Sequence, residues 1–170
     1  RVRRVDVESA ADMLAAVLNA VGTADIFIST AAVADYRPAA PPEHKIKKTS
    51  EKLAVEMERT IDVIASVAAR ASRPFVVGFA AETENVEQNA RAKMLKKGLD
   101  MIAANEVGHA KAFDCADNEL IVLWHGGRRE LPRASKTSLA RDLVALIGEV
   151  FEQQPRRETG AALARDSARA

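Results

Sequence analysis

The chain has 170 residues, 48% of them hydrophobic, and balances 25 Lys+Arg against 24 Asp+Glu for a net charge of +1. That is apolar material for one sizeable core, and the charge balance argues against bulk electrostatic binding of nucleic acid or of an anionic membrane surface. The single cysteine, Cys115, excludes an internal disulfide, and no apolar run reaches membrane-spanning length, so a cytoplasmic protein with neither nucleic acid nor membrane as a partner is expected.

One domain is expected over residues 1–153, followed by a polar, alanine- and arginine-rich disordered tail at 154–170. Arg1 to Val7 reads as a strand. Ser9 and Asp12 resemble a capping box opening a helix, with Leu14, Val17, Leu18 and Val21 at helical spacing and Gly22 as the stop. The apolar run after Asp25 reads as a short buried strand ending at Ser29, which completes a βαβ unit. Beyond it lie Thr30, Ala31 and Ala32, small residues where backbone can approach a ligand closely, then Asp35 and a proline-rich loop carrying Lys45, Lys47 and Lys48.

Leu53 to Met57 alternates as a half-buried strand does, and Ile61 to Arg70 has helical spacing with Thr60 as the expected cap. Phe75 to Ala80 is a second buried strand, followed by a helix over Val86 to Lys97 stopped by Gly98. A third strand over Leu99 to Ala104 runs into Asn105 and Glu106. Three apolar strands that each finish in polar residues are the mark of a parallel sheet presenting a ligand edge. Glu119 to Trp124 and Arg128 to Leu131, joined through Gly126-Gly127, read as a hairpin, and Ser135 caps a strong amphipathic helix with Leu139, Leu143, Leu146, Ile147, Val150 and Phe151 on one face. The expected fold is therefore α/β, a Rossmann-like three-layer arrangement with a mostly parallel sheet and an antiparallel hairpin addition near the C-terminus.

Asp35 follows a strand end, where a carboxylate can take ribose hydroxyls, a base amino group or Mg²⁺; a solvated loop acid or a helix cap reads equally well from the residues. The lysines of the proline-flanked loop can close over phosphates, although most charged loops are merely solvated. Lys93 and Lys97 share a helix face and could meet an anion, yet lysine near a helix C-terminus is also what the macrodipole favours. Phe79 could pack on a base, with core packing the commoner role for one phenylalanine. Cys115 has no partner arrangement for a nucleophile, the three histidines have no metal-ligand spacing, and the methionines read as core filler.

Four motifs in order, Ala31 to Pro38, Lys45-Ile46-Lys47-Lys48, Gly78 to Thr83 and Ala104 to Val107, together with Asp117-Asn118 before a strand, resemble the phosphopantothenate–cysteine ligase domain of bifunctional coenzyme A biosynthesis proteins. The resemblance runs from about Val2 to Phe151. It implies CTP-dependent joining of 4′-phosphopantothenate to L-cysteine through an acyl-cytidylate, with Mg²⁺, in a homodimer normally fused to a decarboxylase domain. The implied CTP contacts are Ser29, Thr30, Ala31, Asp35, Lys45, the segment Ile61-Asp62-Val63-Ile64, Phe79, Lys93 and Lys97, with Lys45 also carrying the catalytic role. Thr60-Ile61 replaces the family's usual Asn-Pro, while Asp62 is kept. The family's opening strand, glycine-rich turn and asparagine segment are not among these residues, so half a site and weak or no activity of this chain alone are expected. Two other readings stand beside this one: a non-catalytic nucleotide-binding or dimerisation module, and a nicotinamide-dependent dehydrogenase, which the lack of a Gly-x-Gly-x-x-Gly turn disfavours.

Overall fold

Local signals and long-range pairing divide the work of building this fold. The computed structural model describes residues 2–42, 44–47, 51–108 and 117–155. Helix α1, Ala10–Val21, opens on the capping box: the Asp12 amide donates to Ser9 Oγ at 3.1 Å, and the Ser9 amide donates to Asp12 Oδ2 at 3.0 Å. The Ser9 hydroxyl and the Ser9 amide, both donating to the Asp12 carboxylate, hold its pKa below the usual carboxylate range. The strands that follow are β1 (Ile26–Ile28), β2 (Tyr36–Pro38), β3 (Met57–Arg59), β4 (Phe75–Glu82), β5 (Met101–Glu106), β6 (Asp117–Trp124) and β7 (Gly127–Ser135). Helices α2 (Val63–Ala68), α3 (Val86–Lys97) and α4 (Lys136–Gln153) complete the described elements.

The main sheet has the order β1-β4-β5-β6-β7, with β1, β4 and β5 parallel and β6 and β7 antiparallel. Buried on both faces, β4 and β5 read as nearly continuous apolar runs, as parallel strands between helix layers must. Alternate side chains feed two cores. On one face Phe75, Val77, Met101, Ala103 and Val122 pack with Leu139, Leu143, Leu146, Ile147 and Val150 of α4, and Phe75 meets Phe151 edge-on at 5.9 Å. On the other, Val76, Ala80, Ile102 and Ala104 pack with Val21, Val67, Ala90 and Met94 of α1, α2 and α3. The result is the three-layer α/β arrangement with a C-terminal hairpin expected from the sequence.

Two features fix how the layers meet. Gly78, midway along β4, faces α2: a Cβ there would lie 2.7 Å from Leu99 Cδ1 and 3.1 Å from Ile64 Cδ1, so only a hydrogen lets that side chain sit so near the sheet. At the other end of the strands, the fully buried Asp100 accepts from the Val76 amide at 2.8 Å and takes both terminal nitrogens of Arg73, one of them at 3.0 Å. This bidentate pair fastens the start of β4 to the start of β5.

The structure corrects four local expectations. Residues 2–8 form no strand and pair with none of the described strands; Val2 and Val5 stay exposed and Arg4 bonds Asp6. The strand expected at 53–57 is displaced to Met57–Arg59, and it is exposed throughout. It pairs not with the main sheet but with Tyr36–Pro38, which the sequence left in a loop, as a separate antiparallel ribbon held by the Arg37–Glu58 ion pair and by Arg59 over the Tyr36 ring. Thr60 is not a helix cap. Its amide donates to the Asp35 carbonyl at 3.0 Å and its hydroxyl to the Ala34 carbonyl, so it continues the ribbon ladder. The helix therefore starts later and is shorter than the expected 61–70 span, with Asp62 as the cap. Cys115, His109, Lys48 and residues 156–170, which make up most of the expected tail, lie outside the described residues.

Candidate functional site

The ladder that Thr60 completes brings two distant stretches together at the carboxyl end of β1. Ser29 leaves that strand with its amide donating to the Val77 carbonyl at 2.9 Å, and the chain then runs through Ala31, Val33 and Asp35. Opposite it lies Thr60 to Ile64, the approach to α2 and its first turn. These two stretches, with Phe79 from β4 and Lys97 from α3, enclose a cleft of about 110 Å³. A cleft beside the carboxyl ends of parallel strands is where open α/β sheets bind ligands.

Asp62 is the best-anchored polar group of this cleft. Its Oδ1 accepts from the Ala65 amide at 3.1 Å, its Oδ2 lies 2.8 Å from Lys97 Nζ, and its carbonyl accepts from both the Ser66 amide and hydroxyl. Partial burial works against ionisation of this carboxyl, but the Lys97 ammonium and the Ala65 amide outweigh it, and the pKa lies below the ordinary carboxylate range. One helical turn earlier on α3, Lys93 Nζ lies 2.9 Å from Glu82 Oε1, at the end of β4. Both α3 lysines named from the sequence are thus held by carboxylates.

Of the residues named from the sequence, Ser29, Ala31, Asp35, Ile61, Asp62, Val63, Ile64, Phe79 and Lys97 line the cleft. Thr30, Lys45 and Lys93 are not on its lining. Lys45 is exposed in the loop between β2 and β3, and Thr30 is exposed between two lining residues. Phe79 packs against the α4-side core and also borders the cleft. Val33 and Thr60 line the cleft without having been named, and Glu82 was not recognised as the partner of Lys93. The two-residue spacing of Ser29, Ala31 and Asp35, which puts Val33 on the same side of the chain, is the signal that could have marked it. Among the described residues no group of three or more His, Cys, Asp or Glu side chains could hold a metal ion. Nor is any described helix long and apolar enough to cross a membrane.

A larger apolar cavity of about 380 Å³ adjoins the cleft, sharing Ser29 and Val63 with it and lined by α1, Phe27 of β1 and the segment carrying Arg3, Val5 and Val7.

Residues 1–150 match the DNA/pantothenate metabolism flavoprotein C-terminal domain family. The chain is 47% identical over 152 residues to a coenzyme A biosynthesis bifunctional protein CoaBC of Vibrio cholerae, covering 87% of this chain and 38% of that protein. It is 43% identical over 161 residues to the protein of the same name in Escherichia coli, covering 92% of this chain and 40% of that one. The chain thus spans about two fifths of these relatives' length. Among solved structures, the C-terminal domain of a coenzyme A biosynthesis bifunctional protein CoaBC superposes with a TM-score of 0.71 at 34% identity, over 88% of this chain and 66% of that one.

Proposed function

The chain belongs to the DNA/pantothenate metabolism flavoprotein C-terminal domain family, and we propose that it carries the nucleotide site of a CTP-dependent phosphopantothenate–cysteine ligase in coenzyme A biosynthesis. The observation that carries this reading is the cleft at the end of β1, where most of the residues assigned to CTP by resemblance line one space although they come from four separate stretches of chain. In this reaction the carboxylate of 4′-phosphopantothenate attacks the α-phosphorus of CTP and pyrophosphate leaves. The amine of L-cysteine then attacks the acyl carbon of the acyl-cytidylate, CMP leaves with the bonding electron pair, and the amine gives up a proton to form the amide.

Such chemistry needs no enzyme nucleophile, only orientation and the offsetting of phosphate charge. The small residues Ser29 to Ala31 let the backbone approach the nucleotide, Asp35 takes ribose hydroxyls or the base, and Phe79 closes the apolar side. Lys97 and Lys93 meet the phosphates from α3. Lys45, on an exposed loop, closes over them as the substrate carboxylate attacks. Mg²⁺ usually reaches such sites on the nucleotide's own phosphates with one or two protein carboxylates, so a three-ligand cluster is not required, and it would supply neutralisation of phosphate charge. The homodimer belongs to the same reading. The ribbon of β2 and β3 is separate from the main sheet, with Tyr36 and Met57 exposed, and Leu53 and Val55 in the stretch leading into β3 are exposed as well. A fused decarboxylase domain, with the whole acting in the cytoplasm, completes the proposal.

The test is calorimetric titration of this chain with CTP and with ATP, each with Mg²⁺, using Lys45→Gln as the control. Binding of CTP in preference to ATP, weakened in the variant, is the expected result. Equal binding of both nucleotides, or no binding of CTP even when the family's opening strand, glycine-rich turn and asparagine segment are supplied, would overturn the assignment.

A further inference from the structure

The geometry points to Asp62 as a positioning residue whose carboxylate aims the Lys97 ammonium into the cleft. The inference rests on the nucleotide reading above and deepens it, since the resemblance treats residues 61–64 only as one stretch of contacts. Two observations carry it. First, Asp62 is rigid at three points: Oδ1 is held by the Ala65 amide, the carbonyl by the Ser66 amide and hydroxyl, and the residue sits at the helix cap, where its backbone is fixed. Second, Lys97 is the last residue of α3, a flexible four-carbon arm just before Gly98, and its ammonium is 2.8 Å from the remaining Asp62 oxygen. Both carboxylate oxygens are thereby occupied by donors. An ammonium has three N–H donors, and one bond to Asp62 leaves two for an anion.

Without that anchor, Lys97 must be ordered at the moment of binding, and ordering a lysine side chain carries one of the larger rotamer-entropy costs of any residue. The opposing effect, relief of repulsion between Asp62 and phosphate, is small because the carboxylate is 40% exposed and screened by solvent. Positioning therefore wins, and loss of the carboxylate charge weakens nucleotide binding by about tenfold.

Asp62→Asn separates this role from a merely structural one, because asparagine caps a helix as well as aspartate does while giving up the charge on Lys97. The experiment titrates Mg²⁺–CTP into the wild-type chain, Asp62→Asn, Lys97→Met and the double variant, with thermal unfolding of each recorded alongside. The expected result is a roughly tenfold loss for Asp62→Asn with little change in unfolding temperature, and less than about twofold further loss when it is added to Lys97→Met. If the wild type binds and Asp62→Asn binds as well or more tightly, or weakens binding equally in the Lys97→Met background, the positioning role is overturned while the nucleotide reading stands. If the wild type does not bind even when the family's opening strand, glycine-rich turn and asparagine segment are supplied, the nucleotide reading falls and takes this inference with it.

Discussion

Replacing Gly78 by alanine is expected to destabilise the fold and disturb the start of α2 together. The added methyl would stand 2.7 Å from Leu99 Cδ1 and 3.1 Å from Ile64 Cδ1, and Leu99, the nearer, is only 1% exposed, so its side chain cannot swing out to solvent. Overpacking a tight interior costs about 1–3 kcal/mol. Against this, alanine restricts the unfolded chain and recovers about 0.4–1 kcal/mol where the backbone tolerates it. The net loss is about 1–2 kcal/mol, or roughly 3–7 °C in unfolding temperature for a chain of this size. Urea unfolding monitored by circular dichroism measures it, with the transition slope checking that the unfolded state is unchanged. Leu99→Val withdraws the nearer methyl, so a double-mutant cycle should return a favourable coupling between the two substitutions. An unchanged or raised midpoint for Gly78→Ala would refute the reasoning, for it would mean that α2 is free to move away from β4.

Asp100→Ala removes the acceptor of the Val76 amide and leaves the Arg73 guanidinium, only 16% exposed, without its bidentate partner; a loss of about 3–5 kcal/mol is expected in the same assay, and one below about 1 kcal/mol would contradict the clamp. Acid should act through Asp62. Its folded pKa is depressed, so its contribution is fully present above the unfolded value of about 3.9 and disappears as pH falls through the lower folded value. Asp62→Asn should therefore flatten the stability profile below about pH 4, and a wild-type slope retained in the variant would assign that acid limb to other carboxyls.

What the residues themselves announced was whatever is stabilised locally or by burial. Ser9 with Asp12, Gly98 after Lys97 and Ser135 before Lys136 mark helix ends because each cap is formed within a few residues. The buried runs of β4 and β5 are legible because both faces are covered. The ribbon was not. Tyr36-Arg37-Pro38 contains a proline, its partner begins near Met57, and neither strand alternates, since both faces are exposed. Thr60 and Asp62 are both good caps by type, and only the bond from Thr60 back to Ala34 decides between them. Likewise, the named residues of the cleft could be located one by one from motifs, but the Lys97–Asp62 contact joins positions 35 apart. No pattern of charges along the chain encodes it.

The two margins of the main sheet are not equivalent. On one margin, β7 carries Arg128, Arg129 and Glu130 and then Pro132, which has no amide hydrogen to donate, beside a register shift opposite Asn118 and Leu120. Charges, a proline and a bulge are the devices that stop one strand from recruiting another. On the other margin, β1 is Ile26-Phe27-Ile28, with none of them. The sheet is thus sealed against growth on the side of the hairpin and receptive on the side of the cleft, so a strand that lengthens it would be laid down beside Ser29.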